Sequence, residues 1–258
     1  MKRRHEIMAD MWQHTRKKAE SSAPPILLQE PLPRLVVLDL DQTLWPFDAA
    51  SERFAPPHRA AADNETVQVH CGSGYIAKPF AQAVAILAAI GTCKIDAKER
   101  PRLNVGVASA NSSKPACVSL LTALGLLQPL AGRAALDSEA SRTLGSRAVI
   151  DPQLLEIHPG SKREHLEALA QRSGVPFCDM LFFDDLKSNI STAERLGVTG
   201  QQVSPLEGLT WATFTKGLAS WRAKQKSSNM MAGWLRSASI AKAVCRRPAH
   251  LTRSAQRL

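Results

Sequence analysis

Between Lys216 and Leu258 the chain has no aspartate or glutamate, against ten lysines and arginines. Its net charge of +10 over 258 residues therefore does not describe the body of the protein. Residues 1–22 carry six basic and three acidic side chains, and residues 23–215 carry 17 basic and 20 acidic ones. A molecule that is basic throughout is excluded, and any polyanion binding is confined to the ends. Cysteine is also scarce in useful patterns. Cys71, Cys93, Cys117, Cys178 and Cys245 are odd in number and scattered, with no CxxC. That argues against zinc and against a redox pair, and free thiols in a reducing compartment are expected. No apolar run reaches the ~20 residues of a membrane span. The opening MKRRHEIMADMWQHTRKKAE is basic but lacks an apolar segment and contains Glu6, Asp10 and Glu20, so it reads poorly as a secretory leader. A cytoplasmic protein is expected, with organelle targeting by the basic N-terminus left open. No internal repeat is visible.

Apolar residues make up 44% of the chain, enough for a sizeable core. Residues 1–33 end in the Pro-rich SSAPPILLQEPLP and read as an extension. After it, apolar runs alternate with helical patterns. Strands are expected at Leu35–Leu40, Leu103–Ala108, Met180–Phe183 and Val198–Val203. Helices are expected at Pro79–Ile90, Ser113–Leu124, Ser161–Arg172, Ser188–Leu196 and 207–222. Ser161, with Glu164 three residues on, has the pattern of a capping box, and Gly174 closes that helix. Residues 48–75 read as a loop or small hairpin flap, 128–150 as an insertion, and 216–258 as a basic, largely disordered tail. Strand and helix in alternation imply an α/β, Rossmann-like fold: a parallel sheet with helices on both faces. The catalytic body is expected to span 34–215.

In such sheets ligands bind beyond the carboxyl ends of the strands. Residues 35–46, LVVLDLDQTLWP, put Asp39 and Asp41 at one such end. A carboxylate there is costly unless paired, and two of them repel unless a cation intervenes. Three more stations fall on the same edge: Ser109 after LNVGVA, Lys162 in HPGSK, and Asp184-Asp185 after LFF. Their chemistry is complementary. A carboxylate can attack a phosphoryl group and hold it as an aspartyl phosphate. Mg²⁺ held by Asp39 and Asp185 neutralises charge, Lys162 and Ser109 meet phosphoryl oxygens, and Asp41 moves the proton. His58, His70, His158 and His165 lack metal spacing, and Trp211, Trp221 and Trp234 read as packing residues.

This order of motifs resembles the haloacid dehalogenase superfamily. DLDQTLWPF, the PPH that follows, and EIHPGSK through MLFFDD to LGVT are similar to its eukaryotic magnesium-dependent phosphatases. The resemblance covers roughly 34–215. It implies one Mg²⁺, a phosphoaspartate intermediate, no large cap domain, and substrates such as protein phosphotyrosine or fructosamine phosphates. Carried over by position, Asp39 is nucleophile and metal ligand, and Asp41 is acid/base with its carbonyl on the metal. The Leu40 amide, Ser109, position 110 and Lys162 hold phosphate. Asp185 is the direct metal ligand, and Asp184 stands behind it. Two positions depart from the pattern. The Arg that usually follows the serine is Ala110, followed by Asn111, and Asp48 stands where relatives can carry a Trp. The segment from Ser109 to Lys162 is also longer. Both a Mg²⁺-dependent phosphomonoesterase and a phosphoryl-binding regulatory module, its tail on nucleic acid or another polyanion, stay open on the sequence. A monomer is expected.

Overall fold

A computed structural model describes residues 31–62, 67–92, 103–128 and 149–244. The N-terminal extension up to residue 30, nearly all of the expected insertion, Cys93 and Cys245 lie outside them. The elements in order are β1 (Leu35–Leu38), β2 (Arg59–Ala62), β3 (Val67–His70), β4 (Ile76–Ala77), α1 (Ala81–Thr92), β5 (Asn104–Ser109), α2 (Lys114–Ala123), β6 (Ile150–Ile157), α3 (Lys162–Ser173), β7 (Met180–Asp184), α4 (Lys187–Leu196), β8 (Thr199–Gln202) and α5 (Trp211–Val244). Strands β6-β5-β1-β7-β8 make a five-stranded sheet in which every pairing is parallel. Strands β2-β3-β4 form a separate antiparallel sheet, three strands ending at Ala77 where a loop or small hairpin flap was expected over 48–75.

The centre of the sheet follows from its sequence. Alternate residues of a strand face opposite sides, so a strand covered on both faces reads as a continuous apolar run. In β1, Val36 and Leu38 join one core with Leu87 of α1, Leu120 of α2 and Phe214 of α5. Leu35 and Val37 join the other, with Leu166 and Leu169 of α3 and Ile190 of α4. All four β1 side chains are at most 1% exposed, so Leu38→Ala would cost roughly 2–5 kcal/mol. Strand β1 stops at Leu38, short of Leu40. The Leu40 carbonyl instead accepts from the amides of Thr43, Leu44 and Trp45, which turns the chain out of the sheet.

Strand β6 was not expected. Its sequence, IDPQLLEI, mixes Asp151, Pro152 and Gln153 into the apolar pattern. It is an edge strand, where a proline and polar side chains are tolerated. Helix α3 carries the capping box, with the Ser161 hydroxyl accepting from the Glu164 amide and Gly174 left-handed at φ 65. Helix α5 begins near 207–222 as read but continues to Val244, into the tail expected to be disordered. By its contacts the chain divides into two units, one ending at Trp221 and one beginning at Arg222. No helix among the described residues is long and apolar enough to cross a membrane.

Candidate active site

The carboxyl ends of β1, β5 and β7 and the start of α3 meet at one point. Asp39 follows β1, and its amide donates to the Phe183 carbonyl of β7 at 2.9 Å. Lys162 opens α3 and is 5% exposed. Its Nζ lies 2.6 Å from Asp39 Oδ1, 2.5 Å from the Ala108 carbonyl and 3.3 Å from Asp184 Oδ2. Gly160, at φ +155, lets the chain enter α3 at this spot, in a backbone conformation that side-chain-bearing residues rarely adopt. Ser109 ends β5 and is 1% exposed. Ala110, at the position of the missing Arg, is exposed.

Asp39, Asp184 and Asp185 each offer an oxygen within 4.8 Å of the others, the one grouping among the described residues with metal spacing. Three carboxylates face one buried lysine, so the cluster lacks a positive charge. The titration behaviour agrees. Burial pushes Asp39 up to about 7, against the pull of Lys162; Asp184 adds to the rise, and the Leu40 amide opposes it. Asp185 is raised by burial and by Asp184. Hard carboxylate oxygens without enough cation fit a hard divalent ion. The two members of the acidic pair differ. Asp184 is fully buried and accepts from the Leu186 amide at 2.8 Å and from Asn189 Nδ2 at 3.0 and 3.1 Å. Asp185 is half-buried, nearer to solvent.

Asp41 has different company. Its Oδ1 accepts from Trp45 Nε1 at 2.7 Å and the Ala49 amide at 3.2 Å, and its Oδ2 from Asn111 Nδ2 at 2.7 Å. The turn that holds it includes Gln42 at φ 60, a left-handed conformation unusual for a side-chain-bearing residue. Cys117, wholly buried, is pushed up to about 12 by burial, with Asp41, Asp48 and Asp39 adding to the rise, so it is no nucleophile. His165 is buried with Nε2 3.0 Å from the His158 carbonyl, and burial, with Lys162 next, lowers its pKa. Neither His joins the acidic cluster.

The structure thus brings together Asp39, Leu40, Asp41, Ser109, Lys162, Asp184 and Asp185 from four places in the chain. Sequence reasoning had not given Trp45, Asn111 or Asn189 a role in the site. Asn189 follows the acidic pair by four residues and its side-chain amide reaches back to Asp184, which is an available signal; Asn111 follows Ser109 by two, but its side-chain amide reaches across to Asp41 and Asp48 instead.

A parallel sheet with a carboxylate after its central strand, a lysine at a helix start and an acidic pair after the neighbouring strand defines a phosphoryl-transfer hydrolase of the haloacid dehalogenase type. Residues 31–224 match the family model described as Acid Phosphatase, and the chain belongs to that family. It is a phosphatase. The chain is also 28% identical over 194 residues to human magnesium-dependent phosphatase 1, covering 75% of this chain and 90% of the relative.

Proposed function

We propose that the chain is a Mg²⁺-dependent phosphomonoesterase that works through an aspartyl phosphate on Asp39. The observation that carries this is the contact of Lys162 Nζ with Asp39 Oδ1 at 2.6 Å beside two further carboxylates. The Asp39 carboxylate attacks phosphorus while the ester oxygen departs, and water then cleaves the acyl phosphate, returning Asp39 and releasing phosphate. Lys162 lowers the charge that the nucleophile presents to a dianion. The Ser109 hydroxyl and Leu40 amide donate to phosphoryl oxygens. Asp41 gives its proton to the leaving oxygen, then takes one from the attacking water. Mg²⁺, held by Asp39, the Asp41 carbonyl and Asp185, would supply further charge neutralisation. Asp184, engaged by Leu186 and Asn189, stands behind Asp185. The relative's magnesium dependence and the charge deficit of the cluster support the choice of metal.

The substrate class is a phosphomonoester, with protein phosphotyrosine and fructosamine phosphates the two kinds implied by the family resemblance. The basic residues from Lys216 on are assigned a weaker, separate role in meeting polyanions, and the catalytic unit acts as a monomer. The test is turnover of p-nitrophenyl phosphate with and without Mg²⁺, in wild type and Asp39→Asn. Turnover that needs both Mg²⁺ and Asp39 is expected. Turnover surviving in Asp39→Asn within tenfold would remove Asp39 from the role. A wild type that binds phosphate without turnover would instead establish the regulatory module.

A further inference from the structure

We propose that Asn111 is a positioning residue for the acid/base Asp41, tying it to Asp48 at the base of the flap. The inference rests on the phosphatase reading above and deepens it. Asn111 is 6% exposed and its side chain is fully committed. Its Nδ2 donates to Asp41 Oδ2 at 2.7 Å and to Asp48 Oδ1 at 2.9 Å, while its Oδ1 accepts from the Ser113 amide at 2.7 Å. A side-chain amide has two N–H donors, and here each goes to a different carboxylate. The Ser113 amide fixes which end of the side chain is oxygen. Flipping the group would set its oxygen against both carboxylates and leave that amide facing an NH₂.

The consequence for Asp41 is geometric. An ionised carboxylate has about four acceptor positions. Trp45, Ala49 and Asn111 occupy three of them. One remains to carry the proton that leaves with the ester oxygen. With three donors fixed, the fourth position has a fixed direction. Trp45 and Ala49 both hold Oδ1, so Asn111 alone among the hydrogen bonds described orients the Oδ2 side. Asp48 is in turn held by the Ala50 amide at 2.8 Å on the same Oδ1. The clamp therefore runs from the acid/base, through one amide nitrogen, to the loop that leads into the flap. It also separates two like charges with a donor common to both, which lowers their mutual cost.

The discriminating variant is Asn111→Asp. It keeps the shape and can still accept from the Ser113 amide, but it has no N–H to give to Asp41 or Asp48. The new carboxylate also repels both neighbours, so a loss alone does not discriminate; a positioning role is read from a loss that is larger on the ester with the poorer leaving group. Steady-state kinetics with Mg²⁺ are compared on β-glycerophosphate, whose alkoxide leaves poorly, and p-nitrophenyl phosphate, whose aryl oxide leaves well. Asn111→Asp and Asn111→Ala are each expected to lower kcat on the alkyl ester about tenfold more than on the aryl ester, with little change in KM, since general acid–base help is worth roughly 10²–10⁴-fold in full. Asp48→Ala is expected to show the same selectivity to a lesser degree. The double variant Asn111→Ala/Asp48→Ala is expected to lose less than the two single losses combined, as members of one network do. Equal losses on both esters, or an Asn111→Asp that matches wild type, would overturn the proposal while leaving the phosphatase reading in place. A wild type inactive on both esters would overturn the two together.

Discussion

Asp39 and Asp41 stand two residues apart, yet the protein treats them as opposites. Asp39 is 7% exposed, sealed at the end of a strand, and meets a lysine. Asp41 is half-buried in a turn, and neutral donors hold it: an indole, a backbone amide and a carboxamide. A cation beside a carboxylate makes a place for charge that must be built up and neutralised. Neutral donors orient a carboxylate without cancelling the charge it needs to take up a proton. Under the proposed mechanism the contrast would divide the reaction between the two residues: bond formation at one, proton movement at the other.

The harshest way to break this contrast is to take the cation away. Lys162→Met leaves Asp39 and Asp184 buried without their partner. Removing one member of a buried pair costs about 3–5 kcal/mol, so denaturant unfolding should show that loss together with loss of turnover. An unchanged midpoint would mean that the pair is solvated and its burial misread. On the other side, Asp41→Asn keeps the turn nearly intact. Its kcat should fall roughly 10²–10⁴-fold on alkyl phosphates and much less on aryl phosphates. Parallel losses on both would show that Asp41 serves only to shape the turn.

A third test sharpens the electrostatic half. Asp39 sits above its ordinary value of 3.8, at about 7, mainly because burial penalises its charge. The protonated group fits the fold better than the ionised one. The associated stability is full below pH 3.8 and is lost as pH rises toward 7. Without metal, the melting temperature of wild type should therefore fall more between pH 5 and pH 8 than that of Asp39→Asn, in which His165 titrates just the same. Mg²⁺ should restore stability at pH 8 in wild type and less so in the variant. Identical pH curves for the two proteins would show that Asp39 is already ionised without cost.

The smallest effect concerns neither aspartate but the capture of a phosphomonoester. Ala110 offers no donor where the resemblance leads one to expect an arginine. A charge-assisted hydrogen bond contributes roughly 1.5–3 kcal/mol, and 1.4 kcal/mol is about tenfold. Ala110→Arg should lower KM for a small phosphomonoester about tenfold and alter kcat less, because phosphate is bound in both ground and transition states. An unchanged KM would mean that another cation already serves there.

Most of the site was legible because its residues lie where strands end, and strand ends are visible as the limits of apolar runs. LVVL, NVGVAS and MLFFD each finish on or just before a polar group that reaches the site. The capping box announced the start of α3 and with it the place of Lys162. What escaped was what depends on the third dimension without a periodic signal. Strand β6 is an edge strand whose polar residues hide its role. Asn111 acts across 70 and 63 residues of chain, and a lone asparagine in a loop reads as turn chemistry. The length of α5 escaped because weak capping and missing acids resemble the composition of a disordered tail.

The pairing of β1 has a consequence for how the chain is made. Leu38 lies between Val107 on one side and Phe183 on the other. During synthesis, LVVL emerges long before either partner, and 145 residues separate Leu38 from Phe183. At about 5–20 residues per second that interval lasts roughly 7–30 s. Throughout it the most apolar strand of the sheet lacks its β7 partner, and until Val107 emerges it lacks both, with the β-branched, uncharged character that favours wrong association between chains. Pro31 and Pro33 stand before it, Asp39 and Asp41 just after it. Prolines and charges flanking an apolar strand act as gatekeepers against such association. The two aspartates would thus guard the nascent chain before the site they belong to has formed.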